Sequence, residues 1–149
     1  MNSATTPFTD LDRLFAALGD AILVVDRQGD IVLWNPAAER IFGFSAEEAL
    51  GQPLDIIIPE HLQARHNDGF RKSVESGQTR YGESVLRVPA LHKSGRTLSI
   101  SFTVGIVSGP DGDKDVQAIV AVVRDETAKW QEERELRARL KACEEKKVQ

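Results

Sequence analysis

Three histidines, one cysteine and a spread of carboxylates are the groups in this chain able to do chemistry, and only one of them stands in a pattern. His61, His66 and His92 lie apart, and Cys143 is far from all of them, so their spacing makes no metal cluster. Ser45 and Ser84 have no histidine near them in sequence to serve as a base. Neither a P-loop nor a G-x-G-x-x-G turn is present. The Asp and Glu residues are distributed as on any solvated surface. These observations argue against a catalytic domain. His66 is the exception. Leu62, His66, Phe70 and Val74 recur every four residues, which puts the imidazole on an apolar helical stripe. A neutral imidazole facing an apolar wall can ligate haem iron. The plainer reading is a half-buried, hydrogen-bonded helix residue.

The elements that must position His66 can be read in order. Asp10 caps a short amphipathic helix bearing Leu11, Leu14, Phe15 and Leu18, ended by Gly19-Asp20. Ile22–Val25 and Ile31–Trp34 read as two strands joined by a tight turn around Gly29. Asn35 then caps a helix with Pro36 at its first position, and Phe42-Gly43 ends it. Ser45 and Glu48 form a capping box for the next helix, stopped by Gly51-Gln52-Pro53. After the apolar Leu54 to Ile58 and Pro59, a longer helix is expected from about Glu60 to Glu75, with Ser76-Gly77 at its end. Residues 83–91 read as a strand whose Pro89 argues for an edge or a bulge. Lys93-Ser94-Gly95 is a hairpin turn. From Arg96 to Ser108 the chain alternates, with Leu98, Ile100, Phe102, Val104 and Ile106 on one face. GPDGDK is the next turn, and Val116 to Val123 has the apolar run of a central strand. From Thr127 onward the chain lacks Gly and Pro and should be helical. Leu136, Leu140 and Cys143 there have the spacing of a short coiled-coil seam.

Strand, Gly turn, strand, WNPAAERIFG and then S-x-E-E-x-x-G resemble the front half of a PAS sensor domain. The likeness continues through PLDIIIPEHLQARHNDGF, HKSGRTLSISFTVG and VVRDET, roughly Phe15 to Thr127. The resemblance implies an α+β fold: a five-stranded antiparallel sheet with short helices over one face, flanked by N- and C-terminal helices. It also implies a space between sheet and helices that can hold a ligand. The segment Ile58-Pro59-Glu60 through His66 is similar to the haem-binding PAS oxygen sensors, whose proximal histidine lies on this helix. No gap is needed between Pro59, His66, Gly77 and Gly95 to match that pattern, which favours His66 over His61 as the metal ligand. The chain departs from those sensors on the gas-binding side. Their strand arginine falls on Leu86 here, and the methionine of one subgroup falls on Ser84. The neighbouring Arg87 points to the other face if the strand is regular.

The resemblance thus implies cofactor-binding positions at His66, Phe70, Leu86, Phe102, Val104 and Trp34. The cofactor itself stays open between haem b, a flavin and none. The photosensory branch carries a cysteine in G-x-N-C-R-F-L-Q, and Gly51 to Ile58 has none, so adduct chemistry with a flavin is excluded. Trp34 could meet a flavin ring, although such a tryptophan is more often core. Asp125-Glu126-Thr127 is similar to the family's Asp-x-Thr junction. Asp125, Thr127 and a basic partner, for which Arg96 is a candidate, would form the signal relay into the terminal helix. The alternative there is an ordinary helix cap.

The whole chain bounds these readings. Its 149 residues suffice for one domain with a core. It is 41% apolar and 28% charged with a net charge of -4, ordinary for a globular protein, without the basic patch that nucleic acid demands. Its apolar runs are too short to span a bilayer, its first residues lack the pattern of a signal peptide, and one cysteine allows no internal disulfide. A cytoplasmic location is expected, although a sensor module cut from a larger membrane protein would look the same. The expected organisation is a flexible stretch over 1–9, an amphipathic helix over 10–19, a PAS domain over 20–126 and a helical linker or coiled coil over 127–149. The expected function is a signal-transduction module that detects a small ligand, gas or redox signal. It would relay this through the C-terminal helix to an output domain or partner: a histidine kinase of a two-component system, a cyclic-dinucleotide enzyme or a transcription regulator. A homodimer through the terminal helices is expected, with no nucleic acid and no membrane contact. Two alternatives remain. One is a ligand-free dimerisation module with its pocket filled by Phe42, Phe70 and Phe102. The other is an enzyme of unrecognised type, which would need a polar cleft with perturbed carboxylates or histidines.

Overall fold

Strands form where the sequence alternates, and the order in which they pair decides which faces meet. In the computed structural model, which describes residues 8–79, 84–111 and 115–148, five strands make one antiparallel sheet. They are β1 (Ala21–Asp26), β2 (Ile31–Trp34), β3 (Leu86–Leu91), β4 (Thr97–Ser108) and β5 (Val116–Asp125), in the order β2-β1-β5-β4-β3. The apolar run from Val116 is thus the central strand, and Pro89 sits on the edge strand β3, where a missing N–H costs least. The strand expected from residue 83 begins at Leu86, opposite Phe102. Ser84 and Val85 stay outside the ladder and exposed, and residues 80–83 lie outside those described.

The helices are α1 (Leu11–Ala17), α2 (Pro36–Phe42), α3 (Ala46–Ala49), α4 (Glu60–Ser76) and α5 (Thr127–Val148). Local chemistry sets their ends. Asp10 accepts from the Arg13 N–H at the start of α1, Asn35 from Ala38 N–H at α2, and Ser45 with Glu48 closes the capping box of α3. Gly43 and Gly77 adopt left-handed backbone at the ends of α2 and α4. The apolar run after Pro53 is a 3-10 turn over Leu54–Ile57.

Sheet pairing sorts the strand residues into two faces. On the inner face Leu23, Val25, Ile100, Ile119 and Val123 meet Ala38, Phe42 and Ala49 of α2 and α3. Phe70 and Val74 of α4 pack against the same core, yet no residue of α4 is fully buried. The helix lies over the core without sinking into it. On the outer face Arg87, Ser101 and Arg124 lie side by side across β3, β4 and β5. Neither α1 nor the far part of α5 buries its apolar side chains: Leu11, Leu14, Leu136 and Leu140 are exposed. The stretch expected to be loose at the N-terminus falls largely on residues 1–7, outside those described, as does part of the GPDGDK turn.

Candidate functional site

A cleft of about 430 Å³ opens between α4, the β1–β2 turn and Pro53–Asp55. The turn is built first. Asp26 accepts hydrogen bonds from Gln28 N–H and Asp30 N–H, each 3.0 Å, which folds Asp26–Asp30 tightly. Leu54 N–H donates to Gly29 O and Ile31 N–H to Gln52 O, tying the segment after α3 to the turn. Gly29 has φ +87°, and a Cβ there would lie 3.6 Å from the Phe70 ring. The turn therefore needs glycine for its backbone, and Phe70 of α4 lies directly against it.

α4 closes the other side. Pro59 precedes it and offers no side-chain cap. Gln63 fixes the first turns instead, donating to Ile58 O at 3.1 Å and Asp55 O at 3.4 Å. One turn on, His66 and Phe70 point into the cleft with ring centroids 6.4 Å apart, as their four-residue spacing dictates. Leu54 and Val74 complete the apolar lining, while Arg27, Asp55, Arg71 and Glu75 make the rest mixed in charge.

His66 is the chemically distinctive group. Its Nδ1 is 3.4 Å from Asn67 Oδ1, and among the described residues Nε2 has no partner. Burial pushes its pKa below the ordinary value, opposed by the Asn67 hydrogen bond and the Asp55 charge. Burial thus disfavours the charged ring. An imidazole whose Nδ1–H is directed at an amide oxygen has its Nε2 lone pair available for a ligand or a metal. Among the described residues its one side-chain hydrogen-bond partner is Asn67. No group of three or more His, Cys, Asp or Glu able to hold a metal occurs among the described residues.

The other expected cofactor positions lie elsewhere. Leu86 faces Phe102 across β3 and β4, and Val104 faces Ala121 across β4 and β5. All are half-buried on the inner face of the sheet, and none lines the cleft. Trp34 is 6% exposed, its ring N–H donates to Phe44 O at 3.0 Å, and its ring packs 5.4 Å from Phe42. It is core, with its polar edge already used. Phe42 is fully buried, whereas Phe70 and Phe102 are half-buried. The fold therefore brings His66 and Phe70 together and leaves Leu86, Phe102, Val104 and Trp34 in the sheet and core.

At the junction with α5, Asp125 Oδ1 accepts from Thr127 N–H at 2.9 Å and from Thr127 Oγ1–H. Ser99 N–H donates to Thr127 Oγ1 at 3.0 Å, and Glu126 N–H donates to Ser99 O at 2.8 Å. Asp125 and Thr127 thus fasten the start of α5 to β4. Arg96 is exposed beside the β3–β4 turn and pairs with no carboxylate among the described residues. The arginine at the junction is Arg87, paired with Glu126 and Glu133. Its outward direction was readable from strand alternation, but its partners were not.

A five-stranded antiparallel sheet with small helices over one face and a cleft beneath the longest of them defines a class of sensory domain. Residues 9–125 match the PAS fold, and the chain belongs to the PAS family. Relatives that carry sensor names include FixL and DosP. The chain is 42% identical over 59 residues to the sensor protein FixL of Bradyrhizobium diazoefficiens, covering 40% of this chain and 12% of FixL. It is 26% identical over 114 residues to the oxygen sensor protein DosP of Escherichia coli, covering 76% of this chain and 14% of DosP. The chain thus spans about an eighth of the length of these relatives. Among solved structures, the PAS domain of a Colwellia psychrerythraea protein superposes with a TM-score of 0.67 at 27% identity, over 78% of this chain and 93% of that one. The chain is a PAS module of signal transduction. No helix among the described residues is long and apolar enough to cross a membrane.

Proposed function

We propose that this domain detects a small ligand in the cleft beneath α4, with His66 as the anchoring group. Occupancy is relayed through the Asp125–Thr127 junction to α5 and on to an output domain or partner. The observation that carries this reading is the His66 ring set in the cleft wall beside Phe70, its Nε2 without a partner among the described residues. The cleft volume is within the range of small-molecule sites.

The donor chemistry fits haem with one protein ligand. His66 would hold the iron through Nε2, Asn67 would orient the ring through Nδ1, and Phe70 would supply apolar wall. Haem iron supplies a coordination position sensitive to gases and to redox state. The resemblance aligns Leu86 with the gas-facing arginine of the haem sensors, but Leu86 lies on the inner sheet face outside the cleft, and leucine has no donor to offer a gas. Oxygen held by a strand arginine is therefore absent from this proposal, and CO or NO is the gas it favours. The likeness to a protein named as an oxygen sensor supports the general reading. A histidine kinase, a cyclic-dinucleotide enzyme or a transcription regulator is the proposed kind of output, with two copies paired through α5.

The test is an absorption spectrum of the full chain before and after adding haemin, repeated with His66→Ala. A Soret band that shifts on reduction and on CO addition, and that is lost in His66→Ala, is expected. A flat baseline with haemin removes haem from the proposal. A band unchanged in His66→Ala removes His66.

A further inference from the structure

We infer that Arg87 is the positioning residue that sets the direction in which α5 leaves the sheet. This deepens the relay just proposed and rests on it. β3 has two faces, and neighbouring residues divide between them. Leu86 stands opposite Phe102 on the helix-bearing face, and Arg87 stands opposite Ser101 on the outer face. There the Arg87 guanidinium spans two carboxylates. Nε is 3.2 Å from Glu126 Oε2, and Nη1 is 3.7 Å from Glu133 Oε2.

Glu126 and Glu133 are seven residues apart, so one side chain grips both the root of α5 and a point two turns along it, about 10 Å further on. The backbone bonds of the junction fix where the helix begins. A second contact two turns out constrains the helix axis as well, and a planar guanidinium facing two carboxylates suits the task better than a flexible ammonium. The contact lies at the surface with its carboxylate side more covered: the Glu126 and Glu133 side chains are 17% and 33% exposed, against 53% for Arg87 itself. Other nearby charges are engaged. Arg124 forms a two-pronged pair with Asp20, at 3.1 Å on both prongs, and Asp125 is held by Thr127. A displacement of β3 is thereby delivered to the bearing of α5.

Cys143, the chain's one cysteine, is replaced by serine, and one label goes on α5 through Ala138→Cys, an exposed position on the side away from Leu136 and Leu140. A second label goes on the exposed end of β4 through Val107→Cys. Spin-label distances are measured in the full chain, with labelled protein diluted in unlabelled protein to isolate distances within one copy. A narrow native distribution is expected, broadening about twofold in Arg87→Ala, and less in Arg87→Lys, which keeps charge without the fork. Arg87→Glu should broaden it as well, and adding Glu126→Arg with Glu133→Arg should restore it. A purely stabilising role would not give rescue by charge exchange. Thermal unfolding should barely move, because exposed pairs contribute little to stability. Should Arg87→Ala fold poorly, Glu126→Gln with Glu133→Gln tests the same contact. A native distribution in all these variants overturns the inference. With haemin as probe, a shift is expected in the native chain and none in Arg87→Ala; equal shifts in both would also overturn it. No shift in either counts against haem as the signal, while the charge-exchange arms still decide the role of Arg87.

Discussion

Asn35 shows how much one side chain can do beyond its local role. It is buried and fully engaged: Oδ1 accepts from Ile22 N–H at 2.9 Å and Ala38 N–H at 3.0 Å, and Nδ2 donates to Phe15 O and Asp20 O. It caps α2, holds the first strand and ties the end of α1 to both. Asn35→Ala should lower stability by about 2–4 kcal/mol in chemical denaturation, because it leaves several buried backbone groups unpaired. A loss near zero would mean that water replaces these bonds. The cap was readable from the order Asn-Pro followed by a helical run. The other bonds reach back 13 to 20 residues, and no local rule reports them. His66 makes a second prediction at this scale. Its folded pKa is lowered mainly by burial, so the unfolded chain takes up the proton first as pH falls past 6.5. The stability from its burial is complete above that value and is lost on acidification towards the lower folded value. Denaturation midpoints from pH 8 to 5 should show this loss, and His66→Gln should lessen it. An unchanged pH profile in that variant would place the titration elsewhere.

At the scale of elements, α5 is tied to the sheet over its first two turns and stands free beyond them. Leu136 and Leu140 are 57% and 63% exposed. The Arg137 guanidinium lies 6.0 Å from the Trp130 ring, an interaction within the helix that covers part of that aromatic face. Most helical stability in proteins comes from packing of a face, and beyond its first two turns α5 packs on nothing among the described residues. A second copy is the proposed cover, through Leu136, Leu140 and Cys143. Sedimentation of the full chain should report a dimer, and Leu136→Glu with Leu140→Glu should shift it to monomer by at least about tenfold in dissociation constant. Mass unchanged in that variant would move the interface off this seam. The helix was legible because Glu, Lys, Arg and Leu follow one another without a breaker. The stripe bearing His66 and Phe70 was legible for a related reason, since a period of four residues leaves little choice of face. The start of β3 was not. Pairing is decided by what Phe102 finds opposite it, and that is a property of two strands rather than one.

For the whole molecule, the sheet and its helices follow from turns and alternation that lie in plain order along the chain. The arrangement of the site needed tertiary information. Phe102 and Val104 alternate correctly towards the helices, but the cleft opens further along α4, against the Gly29 turn. The charged contact that meets α5 joins residues about 40 apart in sequence, and ion pairing has no period to betray it. β1 and β5 are neighbours running in opposite directions, with Ala21 beside Val123 and Asp20 held to Arg124. The polypeptide enters and departs through a single doorway, its two jambs pinned together. A unit so arranged can be spliced into or lifted out of a longer chain with little change in the distance between the segments it joins.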